Sequence, residues 1–150
     1  MAFKKILCPI GHEENSQAAF AAAVKLARES RGTLYLLHVI PLPNSIAAEA
    51  VLLADREGAE QKLQKLAAQV PPGIGRTVIV KFGHPAKEIA ETARRMGADL
   101  IVMGTQGRSA MARLFQGSVA KKVLELAPCP VLALPAGIAY AASGAASQAA

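Results

Sequence analysis

The chain is predicted to fold as an α/β domain, a five-stranded, mostly parallel sheet with helices on both faces. Three observations carry that reading. Short apolar runs alternate along the chain with longer segments whose apolar residues recur at helical spacing. The second strand-like run, Thr33 to Ile40, is apolar nearly throughout, as a sheet covered on both faces requires. Gly or Pro punctuates the junctions between segments. A length of 150 residues suits one such domain and allows a sizeable core.

The elements follow in order. Phe3 to Ile10 is a compact apolar run ended by Gly11, the first strand. Asn15 or Ser16 can cap the next helix, in which Ala19, Ala23, Leu26 and Ala27 repeat at helical spacing until Gly32 stops it. Thr33 to Ile40 is the second strand, broken off by Pro41 and Pro43. A longer helix is expected over about Ile46 to Val70, with Leu53, Leu63, Leu66 and Ala67 on one side, terminated by Pro71-Pro72-Gly73. Thr77 to Phe82 is the third strand. Pro85 sits in the first turn of a third helix whose Ala86, Ile89, Ala90 and Ala93 form an apolar stripe, and Gly97 ends it. Leu100 to Met103, a glycine loop, a helix from Val119 to Leu126 and a last strand from Val131 to Leu134 complete a domain over residues 1–135. Residues 136–150 carry no charge and few bulky side chains, which predicts a low-complexity, disordered tail or a short partner-binding segment.

Composition removes several function classes. No apolar run approaches the roughly eighteen residues that span a bilayer, and the amino terminus lacks the apolar region of a signal peptide. A cytoplasmic protein without membrane insertion is expected. Cys8 and Cys129 lie in separate strand-like segments without metal-type spacing and are expected to be inert buried thiols of a reducing compartment. The net charge of +6 favours anionic partners, but the cations are dispersed and aromatics make up 4%, so no nucleic-acid surface is predicted. The P-loop, the Gly-x-Gly-x-x-Gly fingerprint, the nucleophile elbow and the His-Glu-x-x-His pair are all missing from the sequence. His12 stands beside the end of the first strand, His38 reads as a hydrogen-bonded core histidine, and His84 shapes the turn before Pro85. Asp99, at a strand entrance, reads as a cap on local backbone rather than a magnesium ligand. With no general base beside a nucleophile, binding is expected rather than efficient turnover.

One segment carries positive chemistry. Gly104-Thr105-Gln106-Gly107-Arg108 follows the apolar run 99–103, and Gln116-Gly117-Ser118-Val119 opens the next helix. The spacing is Gly, two residues, Gly, nine residues, Gly-Ser. Glycines let backbone N–H groups approach an anion closely, and a helix N-terminus adds unpaired donors and a positive dipole end. Ser118 adds a hydroxyl, Arg108 a planar fork of donors. A plain strand-to-helix connection would also use such glycines. Arg108, Arg113, Lys121 and Lys122 bracket the loop, either for phosphate or as a solvated face.

The stretch Ala98 to Ser109, then Gly117-Ser118-Val119-Ala120-Lys121-Lys122-Val123-Leu124 and Ala127-Pro128-Cys129-Pro130-Val131-Leu132, closely resembles the universal stress protein family. Lys5-Ile6-Leu7-Cys8-Pro9-Ile10 and Gly83-His84-Pro85-Ala86-Lys87-Glu88-Ile89 resemble it too, so the likeness covers about residues 3 to 135. It implies a Rossmann-like strand order, 3-2-1-4-5, and a ligand crevice beyond the carboxyl ends of strands one and four. It implies ATP or another adenine nucleotide as ligand, alone or with Mg2+, and a stress-response regulator that acts through contacts with an unidentified protein partner. It carries phosphate and ribose contacts onto Gly104, Gly107, Gly117, Ser118 and Val119, and adenine contacts onto Pro9, Ile10, Val39 and Met103. It further implies a homodimer paired through the last strand. A member that works by protein contacts alone is the competing expectation, and a weak ATP hydrolase the third. The chain departs from the family at Gly11, where members commonly carry an Asp expected to hydrogen-bond the adenosine.

Overall fold

A computed structural model of the protein describes residues 2–11, 13–42, 49–105 and 118–135. The element order is β1 (Lys5–Pro9), α1 (Glu13–Ser30), β2 (Thr33–Ile40), α2 (Glu49–Ala68), β3 (Gly75–Phe82), α3 (Pro85–Met96), β4 (Leu100–Thr105), α4 (Ser118–Leu126) and β5 (Val131–Pro135). All four strand pairings are parallel, and the sheet order is β3-β2-β1-β4-β5. The predicted fold class and strand order are those observed.

Alternation along the strands decides which helix covers which face. Ile6, Cys8 and Ile10 of β1, Leu34 and Leu36 of β2, and Leu100 and Val102 of β4 point to one side, into a core closed by α1 and α2. Leu7, Leu37, Ile101 and Met103 point to the other, into a core closed by α3 and α4. The small residues of α1 explain its close approach, since Ala19, Ala22, Ala23 and Ala27 are completely buried. Ala86, Ile89, Ala90 and Ala93 of α3 are buried as its stripe predicts, and Gly97 ends the helix at φ 67°.

Two local expectations need correction. Gly32 is not the left-handed residue that closes α1; Arg31 takes that role at φ 55°. The Gly32 amide donates to the Ala27 carbonyl at 2.9 Å, which completes the helix end. Gly32 is required for a different reason: a β-carbon there would collide with the Phe3 carbonyl and come within 3.0 Å of that of Lys4. Leu53 does not share the buried side of α2 and is 60% exposed. It precedes the buried Leu63 by ten positions, which turns it roughly 80° away from that face. The end of α2 is held instead by Arg76, whose guanidinium donates to the carbonyls of Ala67, Val70, Pro71 and Ile74.

Candidate functional site

The topology collects the carboxyl ends of β2, β1 and β4 at one end of the sheet. β1 continues through α1 to β2 on one side, while its other neighbour is β4. This is the switch point at which open α/β sheets bind ligands. The ladders on the two sides of β1 differ in length. β1 pairs with β2 from Lys5↔Thr33 through Pro9↔Leu37, but with β4 only at Ile6↔Leu100 and Leu7↔Ile101. Beyond Leu7 and Ile101 the β1–β4 ladder has no further pair.

Most predicted site residues that the structure describes stand at this end. Pro9 closes β1, Ile10 is buried just beyond it, and Gly11 is exposed at the exit. Val39 is half-buried near the end of β2, and Met103 and Gly104 lie in the outer half of β4. Ser118 is the first residue of α4, so its amide is among the N-terminal donors without a helical partner. Val119 is half-buried against the α3 and α4 core. Gly107, Arg108 and Gly117 lie outside the described residues, as do His12 and Arg113.

Three side chains from three elements fix the exit of β1. The Ile10 amide donates to the Leu37 carbonyl at 2.7 Å, extending the β1–β2 ladder by one bond. The Ile10 carbonyl lies 2.6 Å from His38 Nδ1. A carbonyl only accepts, so Nδ1 carries the proton. The Gly11 amide donates to Ser16 Oγ at 2.8 Å, and Lys62 Nζ donates to the Gly11 carbonyl at 3.2 Å. The expectation that Asn15 or Ser16 caps α1 fails because the helix already starts at Glu13. Ser16 is buried inside it, and its hydroxyl turns back to the strand exit. His38 is the hydrogen-bonded histidine anticipated, but it serves the crevice margin. Lys62 was not anticipated. It is fifty-one residues from Gly11 in the chain, and no local pattern announces the contact.

Other candidate groups stand elsewhere or are chemically quiet. Asp99 Oδ2 accepts from the amides of Lys4 and Lys5 at 2.8 and 2.9 Å, pinning β1 to β4 at the far end of the sheet. It caps backbone as expected, but that of the distant β1 rather than its own local segment. Burial pushes the Cys8 thiol up to about 12, so it stays neutral at physiological pH. Cys129 is only half-buried, against expectation; burial and then the charge of Asp99 raise its thiol as well. Among the described residues no three His, Cys, Asp or Glu side chains stand close enough to hold a metal ion. None of the described helices is long and apolar enough to cross a membrane.

Known proteins of the same build settle the family. The family model described as the universal stress protein family matches residues 2–135. The chain belongs to the universal stress protein family. A universal stress protein of Thermus aquaticus is 35% identical over 135 residues, covering 87% of this chain and 97% of that one. The universal stress protein MJ0531 of Methanocaldococcus jannaschii is 32% identical over 139 residues, covering 87% and 81%. Among solved structures, the hypothetical protein MJ0577 superposes with a TM-score of 0.81 at 24% identity, over 92% of this chain and 99% of that one. Two further structures share the fold at 20% identity: a universal stress protein in complex with cAMP (TM-score 0.64, 89% and 98% covered) and the Archaeoglobus fulgidus protein in complex with dAMP (TM-score 0.60, 89% and 98%).

Proposed function

We propose that this universal stress protein binds an adenine nucleotide at the carboxyl ends of β1, β2 and β4 and acts as a stress-response regulator through contacts with another protein. The observation that carries the reading is the strand order, which puts β1 between β2 and β4 and places Pro9, Ile10, Val39, Met103 and Gly104 at one end of the sheet, where the β1–β4 ladder has ended. Apolar Ile10, Val39 and Met103 suit a purine face. The segment from Gly104 through Gly107 and Arg108 to Gly117, Ser118 and Val119 supplies phosphate and ribose donors, ending on the N-terminus of α4. Structures of the same fold in complex with cAMP and dAMP support an adenine nucleotide as the ligand class. ATP is the form we favour. Any Mg2+ arriving with it would be held by the phosphates. The reading is one of binding, with at most slow ATP hydrolysis.

A cytoplasmic homodimer paired through β5 belongs to the same reading. β5 is an edge strand whose Val131, Leu132 and Ala133 are half-buried, and exposed apolar edges are ordinarily paired or covered. Sedimentation as a monomer at tens of micromolar would remove the dimer. Residues 1–135 are taken as the binding unit and 136–150 as an appendage to it.

Gly117→Val combined with Ser118→Ala tests the nucleotide site. The pair obstructs backbone approach and deletes a hydroxyl at a helix start. Calorimetric titration with ATP should show binding lost in a double variant whose circular dichroism is unchanged. Unchanged affinity would reduce the glycine segment to a connection. A second reading, the same fold working without nucleotide, is favoured by Gly11 standing where the family commonly has Asp. Mass spectrometry of small molecules released from the purified protein distinguishes the two.

A further inference from the structure

The two faces of the sheet are closed differently. α3 and α4 pack against one another, whereas α1 and α2 stand side by side on their face with little contact between them. The space between them is a groove of about 850 Å³, within the range of small-molecule sites. Its lining is apolar at depth: Phe20, Ala21 and Val24 on α1 and Leu66 on α2, reaching down to the buried Ile10 of β1. Its rims are basic. Among the described lining residues, Lys25 and Arg28 stand on α1 and Lys62 and Lys65 on α2, with Glu29 the one acid. The fold leaves apolar surface at depth and four cations above it.

We propose that this groove binds a long-chain carboxylate, its hydrocarbon lying between α1 and α2 and its head on the basic rim. The lining selects the occupant. An extended alkyl chain matches the apolar side chains of Phe20, Ala21, Val24 and Leu66 that face one another across the groove. The rim then supplies the charge complement that a neutral hydrocarbon would waste. One end of the groove, at Ile10 and Lys62, adjoins the β1 exit, while its length runs along the helices toward Glu29 and Pro71. It shares Ile10 with the proposed adenine contacts, and its length along α1 and α2 lies outside the strand-end crevice.

The test is calorimetric titration of the whole chain with laurate, and with methyl laurate as the uncharged counterpart, below the concentration at which either aggregates. Saturable one-to-one laurate binding is expected, at least tenfold tighter than the ester. Ala21→Trp, which fills the groove from a half-buried position, should abolish it. Arg28→Gln with Lys65→Gln, both on exposed side chains that leave the core untouched, should weaken laurate at least tenfold and leave the ester unchanged. ATP titrations of the same variants should match the parent protein. Absence of saturable binding, or laurate affinity unmoved in the folded Arg28→Gln/Lys65→Gln protein, would overturn the proposal.

Discussion

Gly11→Asp is the perturbation that most directly interrogates the proposed adenosine side of the crevice. The backbone accepts it. Gly11 has no left-handed φ, and a β-carbon there meets nothing within 4 Å among the described residues. The amide bond to Ser16 Oγ does not depend on the side chain and should persist. A carboxylate accepting from the adenosine is worth about 1.5–3 kcal/mol. Lys62 competes for it, because its Nζ already lies 3.2 Å from the Gly11 carbonyl. An exposed ion pair of that kind contributes about 0–1 kcal/mol, which leaves a net gain of about 0.5–3 kcal/mol, roughly twofold to a hundredfold in affinity. Calorimetry with ATP and with inorganic triphosphate, in the parent and in a Lys62→Met background, resolves the two effects. ATP should tighten in both backgrounds and more in the second, while triphosphate should weaken, since a carboxylate repels phosphate. Equal or weaker ATP binding by folded Gly11→Asp in both backgrounds would show that the adenosine does not lie at the exit of β1.

Three further outcomes follow from the packing. Gly32→Ala should cost about 1–3 kcal/mol in urea unfolding, because the new methyl meets the carbonyls of Phe3 and Lys4 and the strand must shift to make room. Arg76→Met should lower stability by about 1.5–3 kcal/mol by stripping donors from the carbonyls that end α2, with Arg76→Lys recovering only part because it lacks the fork. The Cys8 thiol is raised from 9.0 to about 12 in the fold, so its stabilising effect is complete below pH 9 and is lost as pH climbs toward 12. Stability measured between pH 9 and 11 should therefore fall less steeply in Cys8→Ala than in the parent, and equal slopes would refute the assignment.

Much of the fold was legible because its signals are local. Thr33 to Ile40 is an unbroken apolar run with a proline after it, and the strand has those bounds. Pro85, the 86-89-90-93 stripe and Gly97 mark both ends and the buried side of α3. The misreadings have one cause. Gly32, Ser16 and Leu53 were judged by what a residue does to its own segment, whereas each is governed by a distant or spatial neighbour. Gly32 makes room for Phe3, Ser16 serves the exit of the preceding strand, and Leu53 stands in turns of α2 ahead of Ala59, the first buried residue of that helix among the described side chains. The site divides in the same way. Glycines and a serine before a helix can be read from spacing, but the Lys62 contact to Gly11 arises only when α2 is laid beside β1.

That division decides which residues can test binding without disturbing the fold. Ile10 is part of the core under α1 and α2, and Met103 part of the core under α3 and α4, although both stand at the crevice. Truncating either removes buried methylenes at about 2–5 kcal/mol, so a loss of nucleotide binding there would report unfolding as readily as a lost contact. Gly11 and Lys62 carry no such ambiguity. One is exposed and has no side chain; the other offers only an ammonium to a backbone carbonyl. The same alternation that sends Ile10 to one face and Met103 to the other thus builds the crevice from two cores at once. Its chemistry is therefore best varied at the β1 exit, where neither core is touched.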